Sequence, residues 1–357
     1  MKKILLGSLI LFGLLAGWCE APRPYHLIHA DRLVVRTVRG EHISDLVGNV
    51  HFFYGDTEFF SDFATLYEKQ ELANLKGRVV VLEDTLRMEA TKVAYYNISE
   101  QLFLQDSVYV TETHQDGTKR TFTARRVEYF RKTRDFTAID EVHTWDEREN
   151  ITATCGYLTY NLGTGYGYMM RDPIVQKIQS DTLAIAAQKI EYFDDYQKIV
   201  ATFNVDVTSS ENRITSDFLI YFSNEEKAIF KGQPRFYSSF GDGLAKEFHI
   251  FFQKQRLRQA EFIDSCRVDF RAKPGEAKTN WILADRMIFN FIDDAIIESY
   301  AEGGVNAMVI QEQSAHQDYG WNHSQGEWLH ILFNDDQDIS EISLKTRTTG
   351  KYRFIND

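Results

Sequence analysis

The sequence predicts an elongated all-β protein in which about ten similar segments of roughly 30 residues stack on one another. A hairpin pattern recurs along the chain, a glycine or aspartate recurs inside its second strand, and helical periodicity is nearly absent. The composition agrees, with 26 phenylalanines, 18 tyrosines and only five prolines. Because each segment of a stack contacts only its neighbours, we expect an extended body rather than several globular domains.

The hairpin is clearest in the stretch Ala90–Val110. Two runs rich in β-branched and aromatic residues flank the polar turn Asn97–Glu100. Side chains of a strand alternate between its faces, so Val93 shares a face with Tyr95. A two-stranded ribbon is marginally stable in water, and this unit must therefore pack against others like it.

The first strand of each unit has a small residue followed, three and five positions later, by apolar residues. This pattern recurs at spacings of 29 to 42 residues. Chance similarity within an ordinary β-sandwich is a poor explanation for so many registers. The registers begin at Ala30, Ser61, Ala90, Ala124, Cys155, Ala187, Ser216, Ala245, Ala284 and, more weakly, Gly326.

The second strand carries a glycine or aspartate before an alternating apolar pair. Gly48, Gly77 and Gly232 occupy this column, Asp140 precedes Val142 in the same way, and Phe203 departs from the pattern. A glycine or aspartate inside a strand indicates a bulge or sharp bend. A bend at the same place in every segment would fold the stack along one line, so that two sheet faces meet at an edge.

The pattern of residues 1–21 predicts a secretory signal. Lys2 and Lys3 precede the apolar run Ile4–Ala16, with cleavage after Gly17 or Ala21. Cys19 leaves lipidation as a minority alternative, because Trp18 stands where a lipobox has a small residue. We expect residues 22–357 to form one repeat domain in which residues 311–357, the most degenerate part, cap the stack.

The charge argues against two classes of partner. The formal net charge is −12, and it becomes −13 without residues 1–21, which hold two lysines and one glutamate. Nucleic-acid binding requires an excess of lysine and arginine. Docking on an anionic membrane surface requires the same excess.

Motifs for catalysis, metal binding or cofactor binding do not stand out. The acidic pairs Asp194-Asp195, Asp293-Asp294 and Asp335-Asp336 lie at expected hairpin turns, where aspartate is favoured for local hydrogen bonds. Cys155 and Cys266 lie in separate repeats, and we expect two free, buried thiols. The sequence therefore predicts no enzyme, although a carbohydrate-active enzyme on a β-solenoid stays open as a third hypothesis.

The segments Asp45–Phe52 and Leu75–Val79 resemble the OstA-like family. That family includes the periplasmic bridge protein of lipopolysaccharide transport and the soluble N-terminal domain of the outer-membrane translocon. The resemblance covers most of Ala30 to Ile310 and implies an open β-jelly-roll, a V-shaped stack of antiparallel strands. It further implies that acyl chains lie in an apolar cleft and that partners join through edge strands. The chain has about twice the repeats of a short bridge protein and lacks the translocon's barrel.

The leading hypothesis is an exported lipid-binding carrier or bridge of lipopolysaccharide transport and outer-membrane assembly, in the periplasm or at the outer membrane. Its partners would be lipopolysaccharide or a related lipid, and other OstA-like proteins or the translocon. Each methylene moved from water into the cleft gains about 0.8 kcal/mol, so no basic site is needed. The alternative is a structural or adhesive surface β-solenoid without a lipid. The candidate cleft residues are Leu33, Val35, Val50, Phe52, Val79, Val81, Val93, Tyr95, Val108, Val110, Val127, Tyr129, Ile190, Tyr192, Val205, Val207, Leu219, Tyr221, Val268 and Phe270.

Overall fold

The structure, a computed structural model, describes residues 25–177, 183–209, 212–238, 241–254, 256–270, 280–293, 295–312, 319–334 and 339–355. The signal segment with Cys19 and the aspartates at 294, 335 and 336 lie outside these residues. None of the described residues belongs to a helix that is long and apolar enough to cross a bilayer.

The described chain forms one continuous antiparallel sheet, which confirms the predicted all-β stack. One level of this stack, which is either a single long strand or two short strands in line, is called a rung. Six rungs consist of two short strands, so the 26 described strands make twenty rungs, two for each of the ten predicted repeats. At about 4.8 Å between strands, twenty rungs extend on the order of 95 Å. The strands are β1 Tyr25–His29, β2 Arg32–Val38, β3 Glu41–Tyr54, β4 Thr57–Tyr67, β5 Leu72–Glu83, β6 Leu86–Tyr96, β7 Gln101–Thr113, β8 Lys119–Phe130, β9 Asp135–Asp146, β10 Ile151–Asn161, β11 Tyr166–Met170, β12 Ile174–Lys177, β13 Leu183–Ala186, β14 Lys189–Phe193, β15 Lys198–Thr208, β16 Asn212–Phe222, β17 Lys227–Lys231, β18 Arg235–Ser238, β19 Gly241–Leu244, β20 Glu247–Gln253, β21 Arg256–Phe270, β22 Asn280–Ile292, β23 Ala295–Glu312, β24 Tyr319–Phe333, β25 Ile339–Lys345 and β26 Thr349–Ile355.

The predicted bend is present at the glycine or aspartate column. The ladder shifts register there, and two successive residues take positive φ, as Gly48 (φ 78°) and Asn49 (φ 48°) do in β3. Phe203, which departs from the column in sequence, has φ 63° and therefore occupies it in the structure. The line that joins these bends is called the fold line. The other positive-φ pairs are Gly77-Arg78, Asp106-Ser107, Asp140-Glu141, Arg171-Asp172, Phe203-Asn204, Gly232-Gln233, Asp264-Ser265, Gly303-Gly304 and Thr346-Arg347.

In several repeats the residue that follows the small residue packs against this column on the next strand. At Gly77 a Cβ atom would lie 2.6 Å from the Asp62 carboxylate, so no larger side chain fits. Where the column holds aspartate, the opposing residue is instead basic: Lys246 lies 2.7 Å from Asp264. Glycine therefore faces aspartate, and aspartate can face a cation, so the small-residue column and the bend column are matched across neighbouring strands.

The fold line divides the sheet into two wings. Wing A ends at the hairpin turns 39–40, 68–71, 97–100 and 131–134 and their later equivalents, and wing B ends at the turns 55–56, 84–85, 114–118 and 147–150 and theirs. Alternate residues of both wings point inward and form one hydrophobic cluster. The line where the outer margins of the wings approach each other, opposite the fold line, is called the mouth.

Candidate functional site

The apolar interior between the wings contains most of the predicted cleft residues. Fourteen of them are at most 8% exposed: Val50, Phe52, Val79, Val81, Val93, Tyr95, Val108, Val110, Val127, Tyr129, Ile190, Val205, Val207 and Leu219. Tyr192, Tyr221, Val268 and Phe270 are partly buried and pack against the same cluster. The sequence pattern thus selected side chains that the structure brings to one interior, and their contact with lipid stays a prediction.

Leu33 and Val35 differ from the other candidates, because they lie on the edge strand β2. Their exposed fractions are 46% and 59%. Strand β2 pairs only with β3, and the other end of the described sheet, at β25 and β26, pairs only with β24. Both ends of the described sheet therefore present backbone edges that another strand can extend.

In the N-terminal half of the stack, strands β3–β10, the inner faces of the two wings touch. Tyr95 of wing A packs against Tyr54 and Phe59 of wing B, with ring centroids 5.6 and 5.1 Å apart. Further along, Phe122 of wing B lies 6.3 Å from Tyr160 of wing A. These aromatic contacts close the interior here, so its side chains are covered by protein.

A polar cluster bridges the mouth in this half. Glu83, at the wing B end of β5, accepts hydrogen bonds from Arg131 Nε at 3.1 Å and from the Tyr129 hydroxyl at 3.4 Å, both of wing A. Burial raises the pKa of Glu83, and the nearby Arg131 offsets this only in part. The Arg131 guanidinium also lies 3.8 Å from Glu100. We call this group of residues the first mouth cluster.

A second mouth cluster surrounds Arg120 on β8. Its side chain is 9% exposed, lies 2.7 Å from Asp146 and 3.7 Å from Glu112, and donates a 2.6 Å hydrogen bond to the Tyr160 hydroxyl on the opposite wing. Burial alone would raise the pKa of Asp146, but the Arg120 charge together with hydrogen bonds from the Glu149 N–H and from Arg120 outweighs burial, and the pKa is lowered. The N-terminal half is therefore closed by aromatic contacts and by two buried ionic groups.

In the C-terminal half, strands β14–β24, the margins of the interior are apolar and partly exposed. Residues near the fold line stay buried, as Phe248 and Val205 show. Toward the mouth, side chains of both wings pack against the core while keeping part of their surface exposed. On wing A these are Tyr192, Ile199, Tyr221, Phe252, Phe289, Phe291 and Phe333, and on wing B Ile214, Phe236, Val268 and Phe270.

The two mouth clusters were missed by the reasoning from sequence. A signal for them exists, because Glu83 continues the inward alternation of Val79 and Val81, and Arg120 precedes Phe122 in the same alternation. A charged residue in an apolar column indicates a buried polar contact. Its partner lies several rungs away on the other wing, and that pairing is not encoded in local spacing.

The cysteines and the first acidic pair lie where the sequence predicted them. Cys155 and Cys266 are buried and free, as predicted, and burial raises the pKa of the Cys155 thiol to about 11. Asp194 and Asp195 lie in a hairpin turn, and Asp194 accepts a hydrogen bond from the Tyr192 hydroxyl at 2.9 Å. Within the described ranges, no group of three or more acidic, histidine or cysteine residues is placed to hold a metal ion.

Comparisons with known proteins give little further support to the predicted fold and function. No family model and no curated protein matches the chain. Sixteen chains of solved structures match it. One is the crystal structure of LptH, the LptA-homologous periplasmic component of the lipopolysaccharide transport device of Pseudomonas aeruginosa. It has 13% sequence identity, covers 46% of this chain and 75% of the LptH chain, and superposes with a TM-score of 0.14. At that score the match carries no argument about fold or function.

Proposed function

We propose that this chain is an exported carrier that holds lipid acyl chains between its two wings, as part of lipopolysaccharide transport or outer-membrane assembly. The observation that carries the proposal is the partly exposed apolar margin of the C-terminal half, where Tyr221, Phe252 and Phe270 line the mouth. Among the residues that the structure describes, no buried ionic cluster like those around Glu83 and Arg120 spans the mouth at these three side chains. The sequence resemblance to the OstA-like repeat supports the same reading.

The energetics are adequate for this role. Burying a methylene gains about 0.8 kcal/mol, so a chain of ten buried methylenes gains roughly 8 kcal/mol before its ordering cost. The acidic net charge does not oppose binding, because the interaction is apolar. The free edges at β2 and at β25–β26 support end-to-end joining with a related protein or the translocon, and the exposed Leu33 and Val35 would be covered in that contact.

Site-specific photo-crosslinking tests the proposal. A photo-reactive residue at Phe252 should label lipopolysaccharide or a related lipid when the protein is expressed in the periplasm of a Gram-negative host. Phe251 is the matched control, because it is the adjacent phenylalanine but points outward, with Lys227 over its ring. Equal labelling at both positions would refute an internal lipid site.

A structural or adhesive solenoid remains the second candidate, and the closed N-terminal half favours it. There the interior is already filled by protein side chains such as Phe52 and Leu104. Mass spectrometry of lipids that copurify with the periplasmically expressed protein separates the two functions. Copurified acyl lipid supports the carrier, and protein that neither carries nor takes up lipid supports the solenoid.

A further inference from the structure

A cavity of about 580 Å³ lies at the mouth of the N-terminal half. Turns and strand ends of both wings form it, so it exists only because the wings are closed at this point. Its floor contains Leu86 and Tyr129, which are buried. The charged groups that line it are Asp56, Glu83, Asp84, Glu100, Arg131 and Arg134.

Two buried polar atoms in this lining lack a protein partner among the described residues. The Glu83 side chain is 11% exposed, and its Oε1 atom accepts both hydrogen bonds of the first mouth cluster, while Oε2 accepts none. The Nε atom of Arg134 is likewise buried without an acceptor. Buried polar groups are normally paired, because leaving one unpaired is costly. An acceptor and a donor are thus left over in one cavity.

The charge of the lining decides what can pair with them. Four carboxylates face two guanidinium groups, which leaves an excess of two negative charges when all are ionised. A bare anion would be repelled, whereas an ammonium group would be attracted to Glu83. The Arg134 Nε donor requires an oxygen acceptor on the same ligand. The buried surfaces of Leu86 and Tyr129 suit a short carbon linker between the two groups.

We propose that this cavity binds an amino alcohol phosphodiester, which is net neutral, with the ammonium group at Glu83 Oε2 and a phosphate or hydroxyl oxygen at Arg134 Nε. The same chemistry occurs in free glycerophosphoethanolamine and in the head group of an ethanolamine lipid. The site does not depend on the proposed acyl-chain function, because its charged groups lie in the N-terminal half, whereas that function rests on the apolar margin of the C-terminal half. Either proposal can therefore fail without the other.

Isothermal titration of the mature chain with glycerophosphoethanolamine tests the site. Glu83→Gln and Arg134→Gln should each weaken binding by about tenfold or more, the usual scale for losing a charged hydrogen bond. Glu112→Gln is the matched control, because Glu112 is 12% exposed, forms an ion pair with buried Arg120 and also has an Oε2 atom without a hydrogen bond, but lies outside the cavity. Circular dichroism verifies that each variant is folded, and Arg134→Gln carries the test should Glu83→Gln not fold.

Three results would overturn the proposal: no binding to the wild type at millimolar ligand, equal weakening by the Glu112 control, or inorganic phosphate binding as tightly as glycerophosphoethanolamine. Vesicles distinguish the source of the ligand. Retention of the wild type, but not of Glu83→Gln, on phosphatidylcholine vesicles that contain phosphatidylethanolamine identifies a lipid head group. Binding of the soluble compound alone identifies the free metabolite.

Discussion

The two halves of the stack share one repeat but differ at the mouth. In the N-terminal half, inward positions next to the mouth hold Glu83, Arg120 and Tyr160, which bridge the wings through buried hydrogen bonds. In the C-terminal half, comparable positions hold Tyr221 and Phe252, which stay partly exposed. The same backbone can therefore be locked by ionic contacts or left apolar and accessible, depending on the residues at its margin.

This difference separates stability from ligand access along one chain. Where the wings are bridged, the interior is packed with the chain's own side chains, which stabilises the fold and excludes a ligand. Where the bridges are replaced by apolar margins, the surface that would be covered in a closed stack is available to an acyl chain. Substitutions in the two halves should accordingly affect different properties.

The largest effect is expected for Arg120→Ala. Removal of this buried side chain leaves Asp146, Glu112 and the Tyr160 hydroxyl without their partner, and breaking a buried ion pair in this way costs about 3–5 kcal/mol. The measurement is the free energy of unfolding in urea. Arg126→Ala is the matched control. Arg126 lies on the same strand but forms its ion pair with Asp140 on the exposed surface, where ion pairs contribute little to stability. Similar losses in both variants would show that the second mouth cluster does not lock the wings.

A phenylalanine pair compares the packing of the two halves. Phe136 of β9 is fully buried, and Phe136→Ala should lower the free energy of unfolding by about 3–5 kcal/mol. Phe252→Ala should cost clearly less, because part of the ring is already exposed. It should instead reduce the amount of lipid captured, as measured by mass spectrometry. Reversal of these two effects would contradict the assignment of stability to one half and access to the other.

The pH dependence of stability should differ in sign between the two mouth clusters. The pKa of Asp146 is lowered, so its contribution is present above the unfolded value of 3.8 and is lost as the pH falls through the folded value. The pKa of Glu83 is raised, so it costs stability as the pH rises from 4.5 through the folded value. Unfolding of the wild type and Asp146→Asn should converge in acid. The wild type should lose stability relative to Glu83→Gln as the pH rises above about 4.5. Parallel curves would exclude this electrostatic account.

Much of the fold was accessible from the sequence because it is encoded locally. Alternation of side chains, small residues at fixed registers and the glycine or aspartate column predicted the strands, the twenty rungs and the bend. The bridges between the wings were not accessible in this way. Glu83 lies on β5 and its partner Tyr129 on β8, so the contact depends on the twist of the folded sheet. Six rungs are split rather than bulged, and spacing alone did not indicate which ones.

The fold line is common to both halves. Substitutions of Phe203 test whether the stability of the bend depends on its backbone conformation or on the residue type found there. Phe203 is 64% exposed and has φ 63°, a left-handed conformation that Gly48 and Gly77 adopt in the N-terminal half without a side chain. The left-handed conformation costs a non-glycine residue roughly 1–2 kcal/mol, and glycine removes that cost. Glycine also has a larger conformational entropy in the unfolded chain, which lowers the free energy of unfolding by about 0.5–1 kcal/mol and cancels part of the gain. Phe203→Gly should therefore raise the free energy of unfolding by less than about 1 kcal/mol, measured in urea. Phe203→Asn, which tolerates this conformation, should give a smaller gain of the same sign. A loss in both variants would instead mean that the exposed ring contacts something that stabilises the bend.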